Sequence, residues 1–125
     1  MVTVTAFSME LASEFTTTDS SFVEITDSSV TKPTIAGGKC LMVVNCTLKN
    51  DGNYRLYVRI DDDTTVVNYL KSEFPDAEYT TLSGGDTSDA DGQTYTLNTK
   101  ADSGTTTVSN TASDMQTSIS GLGVG

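Results

Sequence analysis

The sequence predicts an all-β protein, an antiparallel sandwich or barrel, on three grounds. Serine and threonine dominate a chain whose valines and tyrosines fall in short runs, and branching at Cβ packs well on a pleated surface. About eight to ten such runs are separated by turn-forming residues every ~8–12 positions, the spacing of a small β-sandwich or barrel. Apolar residues are clustered and only 2 prolines occur, which argues against a low-complexity disordered chain.

The elements follow in order. Residues 2–7 (VTVTAF) alternate and make a first strand. Residues 13–18, 22–26 and 30–35 are short β runs divided by Asp19-Ser20 and Asp27-Ser28, both good turn formers. Gly37-Gly38 is expected to break the chain before the strongest strand, residues 40–48 (CLMVVNCTL). Asn50-Asp51-Gly52-Asn53 then reads as the turn of a hairpin, because Asp-Gly between alternating runs is a strong short-range hairpin signal. Its second arm, residues 54–60, sets Tyr54, Leu56, Val58 and Ile60 on one face and Arg55, Tyr57 and Arg59 on the other. Asp61-Asp62-Asp63 turns into a strand at 64–70. Residues 71–77 (KSEFPDA) form a loop in which Pro75 prevents a long helix. Residues 79–82 read as an edge strand and 83–92 (SGGDTSDADG) as a polar surface loop. Strands at 93–100 and 105–109 flank a turn at 101–104, and a Gly-rich final strand spans 115–122.

At 125 residues the chain fits one domain, divided as an N-terminal arm or first strand at 1–12 and a sandwich at 13–125. The net charge is −10, from 7 basic and 17 acidic residues. So few cations disfavour nucleic acid, whose binding needs Lys and Arg to displace counterions, and anionic membranes for the same reason. Solubility is the plain role of that charge. The first residues lack a basic, apolar leader, so cytoplasmic synthesis is expected.

Catalytic chemistry has little to work with. The chain holds 0 His, which removes Ser–His–Asp and Cys–His catalysis and His-ligated zinc. Cys40 and Cys46 lie on one strand, ~20 Å apart when extended, too far for a disulfide. They share a face with Met42, Val44 and Leu48 and are expected to be buried free thiols. Two acidic clusters invite comparison with calcium loops: Asp61, Asp62 and Asp63, and Asp86, Asp89 and Asp91. Set in EF-hand register on Gly92, the second offers Thr87 first and Asn98 last, so the motif fails twice. In the first, neighbouring side chains on a strand point to opposite faces. No catalytic, cofactor-binding or metal residue is assigned and no cofactor is expected. Asn45-Cys46-Thr47 matches a glycosylation sequon by chance. Arg55, Tyr57 and Arg59 suit pairing across a subunit interface, or the plainer balancing of local acidity.

The order FTTTDSSFVEI, AGGKCLMVVNCTLKN, YRLYVRIDDD, QTYTLNTK, TTTVSN and SISGLGV resembles the small jelly-roll modules of phage virion proteins. These share the trimeric architecture of tumour-necrosis-factor and complement globular heads. The resemblance covers residues 13–125. It implies an antiparallel β-sandwich of jelly-roll type in which the apolar strand pairs with the YRLYVRID strand. It also implies three copies around an axis, with inner strands burying tyrosines and aliphatics. Fibre tips of this group end long stalked chains, so a module without a stalk suits a capsid decoration (cement) protein made in the host cytoplasm and carried in the virion. Its partners would be itself, as a homotrimer, and the major capsid or another virion protein. Residues 1–12 would form an arm on the capsid or on a neighbour. A second reading is a glycan- or receptor-binding tail or fibre tip using Tyr69, Phe74 and Tyr79. A third is a protomer of an extracellular fibre, in which residues 1–12 add as a strand to the next copy.

Overall fold

The computed structural model describes residues 1–111 and 116–125. Among these it contains eleven strands: β1 (Val4–Glu10), β2 (Phe15–Thr17), β3 (Val23–Glu24), β4 (Val30–Thr31), β5 (Thr34–Asn50), β6 (Tyr57–Asp62), β7 (Thr65–Lys71), β8 (Thr80–Asp91), β9 (Thr94–Thr99), β10 (Thr106–Val108) and β11 (Ser118–Val124). They form two antiparallel sheets. In sheet A, β1 pairs β11, which pairs β5; β10 also pairs β5 and carries β2, and β8 pairs β5. In sheet B the order is β3, β9, β6, β7, with β4 also on β9. The protein is thus an antiparallel β-sandwich.

Period-two alternation sets the core. Along β5 the side chains of Cys40, Met42, Val44, Cys46 and Leu48 are buried, as the sequence predicts. Leu56, Val58 and Ile60 meet them from sheet B, with Tyr95, Leu97 and Ile25, while Phe7, Ile119 and Val108 complete the layer from sheet A. Tyr54, assigned to the same inward face, stands outside the strand and is exposed.

Four expectations are corrected. Gly37-Gly38 does not break the chain but lies inside β5, as a bulge where the pairing with β8 shifts register between Thr34 and Lys39. Gly37 has φ +71°, and a Cβ on Gly38 would lie 2.8 Å from that of Ile35, so the bulge calls for glycine at both positions. Asp51-Gly52 does not close a hairpin between β5 and β6, which lie in different sheets. The end of β5 is held to β10 instead: buried Asn50 donates from Nδ2 to Ser103 O and Thr106 Oγ1, and Asp51 N donates to Thr105 O. The chain therefore leaves sheet A and crosses the sandwich. The segment 83–92 is not a loop but most of β8, paired with β5 from Leu48–Thr80 to Lys39–Asp89. Its Ser, Gly and Asp residues disfavour strands in isolation, yet β5 supplies the ladder. The final strand runs Ser118–Val124; the part expected at Met115 lies outside the described residues.

Residues 4–10 pair with β11 along their whole length, and Thr3 N and Gly125 N each donate to the other residue's carbonyl. The segment expected as an arm or first strand is the edge strand of sheet A, with its hydrogen bonds within its own chain.

Candidate functional site

On β5 the residues between the core positions are also apolar. Leu41 and Val43 point away from the sandwich, 58 % and 53 % exposed, beside Leu122 at 46 %. Register makes this a surface. Ala6, Leu122, Leu41 and Thr87 form one cross-strand row, and Ser8, Ser120, Val43 and Gly85 the next. Gly85 and Ser120 have too little side chain to cover Val43, which leaves an open groove of about 890 Å³ floored by Leu41, Val43 and Leu122. Val124, Val4 and Val2 extend the apolar strip along the edge, while Lys39 and Asp89 ion-pair at its border. The signal was present in the sequence: a continuous LMVV run puts apolar side chains on both faces of its strand.

The acidic clusters are engaged within the chain. Arg59 clamps Asp61 with Nε at 2.9 Å and Nη2 at 3.0 Å, and Asn98 Nδ2 donates to the same carboxylate. Asp62 and Asp91 converge instead on Lys32, a residue the sequence did not single out. Lys32 Nζ lies 2.7 Å from Asp62 Oδ2 and 3.0 Å from Asp91 Oδ1, and its side chain is 0 % exposed. Nζ also donates to Ser88 Oγ and Asp89 O, and stands 5.0 Å from the centre of the Tyr95 ring. Burial pulls the Lys32 pKa down, but the hydrogen bonds and charges of Asp62 and Asp91 outweigh it and the net shift is upward. Tyr95 Oη bonds Ser88 Oγ and Asp86 Oδ2, extending the network across the sandwich. Burial first, then Asp86, raises the Tyr95 pKa. Among the described residues no cluster of three or more His, Cys, Asp or Glu suits a metal ion.

Both cysteines are free and buried. Burial raises both thiol pKa values, that of Cys46 to about 12, against a small opposing effect of its contact with Thr117. A thiolate nucleophile is thereby disfavoured.

Arg55, Tyr57 and Arg59 find partners within the chain. Arg55 approaches Glu73 and the Phe74 ring, and Tyr57 Oη donates to Asp102 at 2.7 Å. Arg59 and Lys100 flank the Phe22 ring, which also contacts Tyr57 and Tyr69. Of the three aromatics proposed for ligand contact, Tyr69 and Phe74 are exposed, whereas Tyr79 is half-buried under Lys49.

A six-stranded and a five-stranded antiparallel sheet packed in this way make an antiparallel β-sandwich of jelly-roll type. No protein-family model matches the chain, and no curated protein matches it in sequence. Among solved structures it is similar to murine APRIL (crystal structure at pH 5.0), with a TM-score of 0.62, covering 96 % of this chain and 98 % of that one at 10 % identity. At that identity the likeness concerns the fold.

Proposed function

We propose that the protein is a non-enzymatic virion structural protein, a capsid decoration (cement) protein that assembles as a trimer through the outer face of sheet A. The observation that carries the assembly is the apolar strip centred on Leu41, Val43 and Leu122. On a chain of net charge −10, an uncharged face of this kind is a site for association. A second copy is its natural occupant, since the copies repel everywhere except where charge is absent. Symmetric closure then limits growth. The tumour-necrosis-factor-like fold supports three copies, in keeping with the trimeric architecture that the resemblance implies. The virion setting rests on the resemblance in strand order to phage modules.

The native mass of the purified protein by light scattering, at low and moderate salt, tests the assembly. A trimer that co-sediments with capsids is expected; a monomer without capsid affinity overturns the reading. A second reading, a glycan- or receptor-binding tip, is favoured by exposed Tyr69 and Phe74. A glycan array without hits disposes of it. The fibre reading asks residues 1–12 to leave their own sheet, and predicts polymerisation that rises with concentration.

A further inference from the structure

The convergence of Lys32, Asp62 and Asp91 is unusual in three respects. The lysine side chain is 0 % exposed, so no water solvates its charge. Two carboxylates contact its Nζ, from the ends of β6 and β8, which belong to opposite sheets. Asp62 Oδ1 is buried without a hydrogen-bond partner. Burying an ammonium and a carboxylate costs several kcal/mol per ion, recovered only if the remaining polar atoms are paired. Here one oxygen is not.

We propose that Lys32 and Asp62 condense to an intramolecular isopeptide bond that ties the segment between β4 and β5 to the end of β6, with Asp91 as the proton carrier. The geometry is close to reaction. With Nζ 2.7 Å from Oδ2 and an ordinary hydrogen-bond angle, the nitrogen stands roughly 3.5 Å from Cγ, at the edge of the near-attack range. The backbone holds it there. Pro33 keeps Lys32 extended, Lys32 N donates to Gln93 O, and Asp91 accepts from Gln93 N.

The step balances without a co-reactant. Asp91 takes one proton from the Lys32 ammonium, and the freed lone pair attacks Asp62 Cγ. The N–C bond forms, one C–O bond breaks, and that oxygen leaves as water. It carries two of the three ammonium protons, both relayed by Asp91; the third stays on the amide nitrogen. Nothing is oxidised or reduced. The product replaces a buried ammonium and a largely buried carboxylate by one neutral amide, which is the driving force. The link joins residues 30 apart in sequence, in a chain whose two cysteines are both free. It is independent of how copies assemble.

Intact mass spectrometry of the full chain, denatured and reduced, tests it. The wild type is expected to be lighter than its sequence by one water, with fragmentation showing a branched peptide joining Lys32 to Asp62. Lys32→Arg keeps the charge and should have full mass. Asp91→Asn, shown folded by circular dichroism, should form the link more slowly or not at all. A wild-type protein of full mass overturns the proposal. So does a water loss that maps to Asp51-Gly52 or Asp91-Gly92, where a succinimide has the same mass. An Asp91→Asn variant linked as fast as wild type overturns the role of Asp91.

Discussion

Leu41→Asp separates assembly from folding. Leu41 is 58 % exposed in the single chain, so the fold itself should lose no more than about 0.5 kcal/mol, as at most surface positions. Fully burying a leucine is worth ~1.5–3 kcal/mol. The part still exposed here can therefore contribute about 1–2 kcal/mol per copy, or roughly 3–5 kcal/mol over three copies. The aspartate adds the cost of an unpaired charge against an apolar surface, several kcal/mol more. At about 1.4 kcal/mol per factor of ten, association should weaken at least ~1,000-fold. Light scattering at a concentration where the wild type assembles should therefore find Leu41→Asp monomeric, with an unchanged circular dichroism spectrum. Tyr69→Asp, on the opposite sheet, should keep the wild-type mass. A Leu41→Asp protein of wild-type mass would show that sheet A's outer face is not where copies meet.

Other substitutions probe the interior. Tyr95→Phe leaves Asp86 and Ser88 without the hydroxyl that bonds them at 2.9 and 2.6 Å. It should cost ~1–3 kcal/mol and lower Tm by roughly 3–12 °C in a scan at fixed protein concentration. Cys46 should give an alkaline limb. Its thiol is held protonated by burial to about 12 from 9.0, whereas the unfolded chain loses that proton near the ordinary value. Stability is therefore fully present below pH ~9 and declines by up to about 1.4 kcal/mol per pH unit above it. Urea midpoints from pH 8 to 11 should fall, and Cys46→Ala should flatten the slope; an identical slope would exclude the thiol as its source. Neither cysteine should react with a thiol reagent in the native protein, and both should do so in denaturant; rapid native labelling would contradict their burial.

How much of this was legible depends on what each strand needs to be recognised. The alternation of CLMVVNCTL put Cys40, Met42, Val44, Cys46 and Leu48 on one face, and they form the core. The alternation of RLYVRI (residues 55–60) did the same for Leu56, Val58 and Ile60. Segment 83–92 was unreadable because its residues are turn formers by propensity, and its strand exists through the ladder with β5. Asp51-Gly52 misled for a related reason. The dipeptide specifies a local turn, whereas the partner of β5 was decided by Asn50 and Asp51 bonding the residues beside β10.

By itself the sequence determined an acidic all-β chain without histidine, with a core strand whose inward face is known. Side-chain direction in a strand is a local property with a period of two residues, so it can be read along the chain. Only the tertiary structure decided that Leu41, Val43 and Leu122 share an uncovered face, and that a fully buried Lys32 side chain meets Asp62 and Asp91. Those outcomes depend on which strands are neighbours and which face lacks a covering layer. Both are settled by contacts between residues far apart in the chain, and no local pattern encodes them.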